Sequence, residues 1–345
     1  MEFRMHNTVN LYFVASPLQY LAAKAIAGQS EAGSRQVLIW YKKGVAPIVR
    51  QDEWDAASYM PWPRFEPLPG RFGRHKRLIE NIEMVAKLAG QCKTLRIHSA
   101  VFDTEAINYF LCALPTACGA KKMSARILPD GVISIRRYPL SFFKRMLQYT
   151  KRLRRFADRR LDYWTFKGDR IGSDAPFCDR IYVIPGFPHE YPEEKTVILP
   201  PLLKKTDSGN LTHGKRALIV GQPLVGAGLI RKSALPDITQ KIFDWLQSEA
   251  FDVIDYKGHP KDPNRELYLG EYNLLQLDEA LESWMSKTNY DAVLGVRSSA
   301  LLFAIQIYPA DTRVIAFGWD EIKFKSKAEQ EDMRNLFTQC GIQLR

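Results

Sequence analysis

The sequence contains no uninterrupted apolar run near the roughly 18 residues that a membrane-spanning helix needs, which excludes a helical integral membrane protein. Cysteine is scarce. Five residues, Cys92, Cys112, Cys118, Cys178 and Cys340, are odd in number and show no C-x-x-C spacing. A disulfide framework and a structural zinc site are therefore not expected, and the thiols read as incidental or buried in a reducing compartment. The first ten residues carry Glu2, Arg4 and His6. They lack the basic start, apolar middle and small-residue cleavage site of a signal peptide, so a cytoplasmic location is expected. G-x-x-x-x-G-K-[ST], G-x-S-x-G and H-E-x-x-H are all missing, which leaves ATPase, α/β-hydrolase and zincin readings without support. A D-x-D metal motif is missing too, and neither a metal nor a cofactor is expected. There is no internal repeat and no low-complexity tract.

What is present is a globular composition, 46% hydrophobic and 25% charged over 345 residues, enough for two domains of ordinary size. The formal charge of +11 is unevenly spread. Residues 144 to 170 hold Lys144, Arg145, Lys151, Arg152, Arg154, Arg155, Arg159, Arg160, Lys167 and Arg170 against Asp158, Asp162 and Asp169. Phe142, Phe143, Met146, Leu147, Tyr149, Leu153 and Phe156 are interleaved with them. The pattern predicts a basic amphipathic helix able to meet lipid headgroups, nucleic acid or an acidic polymer. A solvated face that only keeps the protein dispersed is the bland alternative.

The first half alternates strand and helix: strand over 9–15, helix over 18–27, strand over 37–41, helix over 77–88 stopped by Gly90, strand over 95–102, helix over 104–114 and strand over 124–128. Prolines crowd residues 171 to 215, which reads as connector. Alternation resumes with strands at 217–220, 251–256, 291–296 and 312–317, and helices at 235–250, 281–285, 300–307 and 327–340. The pattern predicts an α/β protein of two Rossmann-like, doubly wound domains facing each other across a cleft. Expected boundaries are 1–190, with the basic helix, and 191–325, with residues 326–345 as a helix packing back on the first domain.

Chemistry is sought where such sheets put their ligands, at strand carboxyl ends. Pro129-Asp130-Gly131 follows one strand, and the glycine lets the chain turn and leave the carboxylate exposed. Tyr256-Lys257-Gly258-His259-Pro260 follows another; Pro260 holds His259 extended, and histidine suits proton donation near neutral pH. Gly295-Val296-Arg297-Ser298-Ser299-Ala300 joins strand to helix and could hold a phosphate on two hydroxyls and free N–H groups. Gly221-Gln222-Pro223 forms a further backbone approach point. Each has an ordinary alternative: a Pro-Asp-Gly turn, a loop histidine, a serine N-cap.

In this order the segments resemble bacterial sialyltransferases of the polysialyltransferase and lipooligosaccharide-sialyltransferase families, which share an acidic-Gly, a His-Pro and a paired Ser/Thr motif on a GT-B fold. Ser16-Pro17-Leu18-Gln19 and Gly221-Gln222-Pro223 are similar to segments of those families as well. The resemblance implies an inverting, metal-independent transfer of a nonulosonic acid from a CMP-activated donor to a saccharide or lipid-linked saccharide acceptor, in capsule or lipopolysaccharide synthesis. It implies Asp130 as general base, His259 as general acid that protonates or hydrogen-bonds the phosphate of departing CMP, and Ser298 and Ser299 as ligands of that phosphate or of the sugar carboxylate. Glu279 takes the ribose-binding place, with Asp278 competing. Pro260, Gly221, Gln222 and Arg297 fall on the donor side, and Ser16 and Gln19 on the acceptor side. Pro129 departs from the families' motif, where a second acidic residue stands, and leaves pseudaminic, legionaminic acid or Kdo open as donor sugar.

Under this reading residues 140–167 dock the enzyme peripherally on an anionic inner-membrane surface, and no nucleic acid partner is expected. Two other readings stay open: a GT-B transferase using CMP-Kdo or another nucleotide sugar, and a non-catalytic protein that binds anionic surfaces.

Overall fold

In the computed structural model, which describes residues 6–29, 33–130, 137, 139–202, 214–279 and 281–345, the chain forms two compact units. One comprises Met1–Pro185 with His189–Leu202, the other Gly186–Pro188 with Leu203–Arg345.

The first unit runs β1 (His6–Val14), α1 (Pro17–Gly28), β2 (Arg35–Trp40), β3 (Ala56–Tyr59), α2 (Gly73–Ala89), β4 (Cys92–Ser99), α3 (Glu105–Ala117), β5 (Lys122–Ile127), α4 (Phe142–Arg152), β6 (Cys178–Val183) and β7 (Thr196–Ile198). All strand pairs are parallel, in the order β3-β2-β1-β4-β5-β6-β7. The central strand β1 is buried on both faces, as a parallel sheet covered by helices requires. Val9, Leu11 and Phe13 meet Ile82 and Val85 of α2 and Phe110 and Leu114 of α3. Tyr12 and Val14 point the other way, toward Tyr20, Ala23 and Ile26 of α1. Helix α2 ends at Gly90, whose φ of 74° is the left-handed geometry that favours glycine.

The second unit runs β8 (Arg216–Val220), α5 (Leu235–Ser248), β9 (Val253–Lys257), β10 (Asn273–Leu274), α6 (Leu281–Lys287), β11 (Ala292–Gly295), α7 (Ser299–Ile307), β12 (Arg313–Ala316), α8 (Lys327–Gln339) and β13 (Gln343–Leu344). Its sheet, β10-β9-β8-β11-β12-β13, is again parallel. Both sheets therefore begin at the centre, wind to one edge and then to the other. That order puts a switch point between β1 and β4, and another between β8 and β11.

A buried polar knot ties the second sheet together. Asp255 on β9, 2% exposed, accepts from Arg216 on β8 at 2.8 Å and from the Tyr290 hydroxyl at 2.7 Å, and Trp284 donates to that hydroxyl at 3.1 Å. Removing one member of a buried charged pair strands the rest without water. Asp255→Ala should cost about 3 kcal/mol, read as a lower urea or thermal midpoint; an unchanged midpoint would contradict the knot's structural role.

Four expectations change. The boundary moves from 190 to the neighbourhood of 202, because β7 pairs with β6 and keeps the intervening chain in the first unit. The proline-crowded connector thus contains two strands. Residues 326–345 do not form an appendage of the first domain but complete the second unit: Phe337 packs on Trp319 at 5.4 Å, Glu329 pairs with Arg297, and β13 extends the sheet. The basic segment is an α-helix only to Arg152, after which single 3₁₀ turns at Leu153–Phe156 and Arg159–Leu161 take over. No described helix is long and apolar enough to cross a membrane.

Candidate active site

Each unit collects sequence-predicted residues at the carboxyl edge of its own sheet. In the first, Asp130 follows β5, and the preceding chain is held by the Leu128 N–H donating to the Ser99 carbonyl at 3.0 Å. Gln19, almost fully buried in the first turn of α1, accepts the Ala15 N–H on its side-chain oxygen at 2.7 Å. That leaves the Gln19 amide N–H₂ to face the Asp130 carboxylate, and it donates a hydrogen bond there. Burial raises the Asp130 pKa; the Gln19 hydrogen bond and the Lys42 ammonium pull against it without cancelling it. The result is a carboxylate more basic than usual, oriented by an amide and still balanced by a cation. Ser16 is spoken for: its hydroxyl caps α1 by accepting the Gln19 N–H at 3.3 Å. Gly131 lies outside the described residues.

Lys42 and Tyr41 were not anticipated. Tyr41 is stacked on Trp62 at 4.5 Å, and its phenol is held protonated by burial first and the nearby Asp130 charge second. Both residues directly follow β2, so the strand-end rule applied to the other motifs would have found them.

In the second unit the loops after β9, β8 and β11 lie side by side, because their strands are neighbours in the sheet. With strands about 4.8 Å apart, the β9 and β11 loops are on the order of 10 Å from each other. His259 heads the first loop. Its Nδ1 accepts the Lys261 N–H at 3.0 Å, so the neutral ring carries its proton on Nε2, and it stands exposed. Packing around the ring, then the Lys261 and Lys257 charges, lower its pKa against an opposing pull from Asp262. This imidazole stays neutral at physiological pH and offers Nε2–H as a donor. Pro260 is exposed beside it.

Gly221 and Gln222 form the central loop. A side chain at 221 would put a Cβ 2.4 Å from the hydroxyl of fully buried Tyr256, so glycine is required by close approach rather than by dihedral freedom. Gln222 spans the switch point: its side-chain oxygen accepts the Arg297 N–H at 2.7 Å. Glu266 braces the same loop by accepting from the N–H groups of Val225 (2.7 Å) and Gly226 (3.0 Å), a clamp invisible to motif reading because Glu266 lies far from any strand end in sequence.

Ser298 caps α7, its hydroxyl accepting the Ala300 N–H at 3.2 Å, while Ser299 is exposed at the first helical position. The opening of α7 combines partial positive charge, N–H groups and a hydroxyl, a combination suited to an anion. The Arg297 guanidinium turns away from this edge to Glu329 at 2.8 Å and lies over the Phe324 ring. Glu279 is likewise engaged, by Ser283 and by Lys287 at 2.6 Å, and it buttresses the start of α6; Asp278 is exposed. Among the described residues no three His, Cys, Asp or Glu side chains gather as ligands of one ion would.

No curated protein matches the chain as a whole sequence. A sialyltransferase from Photobacterium damsela is similar in fold at 12% identity, with a TM-score of 0.55, over 98% of this chain and 81% of that one. A spinosyn rhamnosyltransferase complexed with thymidine diphosphate is similar at 11% identity and a TM-score of 0.52, over 98% and 86%. At such identities the likeness is one of fold, and the fold is that of GT-B glycosyltransferases, two Rossmann-like units. The loops carrying Gly221, His259 and Ser298 all fall within residues 183–316, the stretch that matches the family model of alpha-2,8-polysialyltransferase (POLYST).

Proposed function

We propose that the protein is an inverting, metal-independent glycosyltransferase that moves sialic acid or a related nonulosonic acid from a CMP-activated donor to a glycan hydroxyl. The observation that carries this reading is the second unit's carboxyl edge. A neutral histidine donor, a capped helix start and an obligatory glycine converge there, inside the segment matched by the polysialyltransferase model.

The chemistry follows from the residues. The acceptor hydroxyl gives its proton to Asp130 as its oxygen attacks the anomeric carbon; the bond from that carbon to the phosphate oxygen breaks, and CMP departs with the electron pair. Asp130 suits the base role because burial raises its basicity while the Gln19 hydrogen bond and the Lys42 charge favour its ionised form. A departing phosphate monoester has a second pKa near 6, so its new charge needs hydrogen-bond donors more than a full proton. His259 Nε2–H, the Ser299 hydroxyl and the α7 N-terminus supply them. Of the two roles implied for His259, the neutral ring fits hydrogen bonding to the phosphate better than proton transfer. Glu279 and Asp278 remain the candidates for the ribose, and Gln222 holds the donor loop in register. An acceptor in capsule or lipopolysaccharide synthesis, and a place on the inner face of the membrane, are proposed with it.

Gln19 offers a test of the base that leaves the base in place. Its hydrogen bond lowers the Asp130 pKa, so Gln19→Leu lets burial raise that pKa further. The acid limb of the kcat/KM profile should then move to higher pH, and Lys42→Ala should move it the same way. An unshifted limb in both variants would disconnect Asp130 from the rate.

Nucleotide discrimination tests the donor class. CMP at 100 times its Kd should stabilise the protein by about 2.7 kcal/mol in a thermal-shift titration, with UDP, GDP and ADP giving less. A larger shift with UDP or GDP would favour a transferase of another nucleotide sugar, and indifference to all of them would favour the non-catalytic surface binder.

A further inference from the structure

Nine of the eleven large apolar side chains that stand exposed among the described residues fall in two segments of the first unit, 65–72 and 142–156. Helix α4 is built inside out. A surface helix normally buries its apolar stripe and shows its polar face to water. Here Phe142, Met146, Tyr149 and Leu153, one stripe at helical spacing, are all more than half exposed, with Phe143 beside them at 83%. The helix is anchored by polar groups instead: Gln148, 2% exposed, donates to Asp103 at 3.0 Å, and the Lys151 ammonium sits 4.9 Å from the Tyr163 ring.

The second segment stands next to the first. Glu105 accepts Arg74 at 2.8 Å, just past the 65–72 loop, and Arg154 at 2.6 Å, just past α4, and Arg154 also donates to Tyr109. One carboxylate thus fastens both segments to α3. In each segment aromatic rings alternate with guanidinium groups: Arg64 over Phe65, Arg71 over Phe72, Arg155 over Phe156, at 5.8, 5.6 and 5.3 Å. Phe72 takes a φ of 66°, an uncommon geometry for an aromatic residue, and its side chain is exposed. Arg64, Arg71, Lys144, Arg155 and Arg159 have no carboxylate partner among the described residues.

We infer that these two segments form one composite docking surface for an anionic lipid bilayer, with the aromatic and aliphatic side chains entering the headgroup–acyl boundary and the unpaired cations meeting lipid phosphates. Charge decides between occupants. A second copy of this chain, carrying the same +11, would set the patch's cations against themselves in a two-fold interface, whereas anionic headgroups neutralise them. The mixture of rings and cations on one outward face is the composition of interfacial helices. The surface belongs to the first unit and does not depend on the catalytic reading.

The experiment is co-sedimentation of the full chain with vesicles of phosphatidylcholine alone or mixed with phosphatidylglycerol, at low and high salt. The wild type should bind the anionic vesicles, weakly or not at all the neutral ones, and less in high salt. Phe142→Ser with Phe143→Ser should weaken partition at least about tenfold, and Lys144→Glu with Arg155→Glu about thirtyfold or more. Phe65→Ser with Phe72→Ser should weaken it as well. All substituted side chains are exposed, so an unchanged Tm verifies folding in each variant. Absence of binding to anionic vesicles overturns the inference. So does a wild-type dimer that Phe142→Ser with Phe143→Ser dissociates and that ignores vesicles, which would assign the face to a second copy. Full binding by the Phe65/Phe72 variant overturns the composite surface.

Discussion

Asp130→Asn is expected to lower transfer by about 10²–10⁴-fold while leaving the protein at least as stable as the wild type. The two halves of that expectation have one physical cause. Burial raises the Asp130 pKa above its ordinary value, so the folded state disfavours the charged carboxylate. Between the ordinary and the raised value the folded chain binds more protons than the unfolded one. Stability therefore falls as pH rises through that window, and the loss is complete once pH exceeds the raised value. Asparagine carries no charge to desolvate, and its carbonyl oxygen can still accept from Gln19. It cannot take a proton from an acceptor hydroxyl. Initial rates of CMP release, set beside thermal unfolding at neutral pH, would show an inactive variant with an equal or higher Tm. A variant that is inactive because it unfolds would give the wrong sign of Tm, and one with wild-type rate would remove Asp130 from the mechanism.

His259→Ala is expected to cost about 10²–10³-fold in kcat, the range for loss of one preorganised donor to a developing oxyanion. His259→Gln should recover part of that loss, because an amide N–H can be offered from a similar place. The pH dependence separates hydrogen-bond donation from proton donation. With Nδ1 occupied by the Lys261 N–H and the pKa lowered from its ordinary value near 6.5, the neutral ring predominates above that value. The wild-type rate should hold across pH 7 to 8 with no basic limb assignable to this histidine. A rate that falls as pH rises through 6.5, and a His259→Gln variant no better than alanine, would show that the imidazolium itself is the acid.

Much of this was readable from residues. Strand-helix alternation gave both sheets, since buried parallel strands such as Val9–Val14 and Arg216–Val220 are short, apolar and bounded by helices that open or close with their own signals, Ser16-Pro17 at one end and Gly90 at another. The motifs landed at strand carboxyl ends for the same reason. What escaped notice lacked a local signature. Strand β7 has three residues between prolines, and β3, Ala56–Tyr59, carries little apolar weight; tertiary pairing, not propensity, makes them strands. The C-terminal helix was assigned to the wrong unit because an amphipathic pattern says that a face is buried and not against what. Its partners Trp319 and Arg297 could be known only from the fold.

Site contacts show the same limit. Gln19 beside Asp130, and Gln222 beside Arg297, join residues 111 and 75 positions apart in sequence. Motif reading found all four without being able to pair them. It also offered Arg297 as a donor ligand, and the guanidinium proves to be spent on Glu329 instead.

The most direct test of the central claim is release of CMP from a panel of CMP-linked nonulosonic acids, with a glycan acceptor and EDTA present, by the wild type and by Asp130→Asn. The account predicts acceptor-dependent CMP release by the wild type from at least one CMP-linked acid, undiminished by the chelator and lost in the variant. Release from none of them, or transfer that survives in Asp130→Asn, would contradict it.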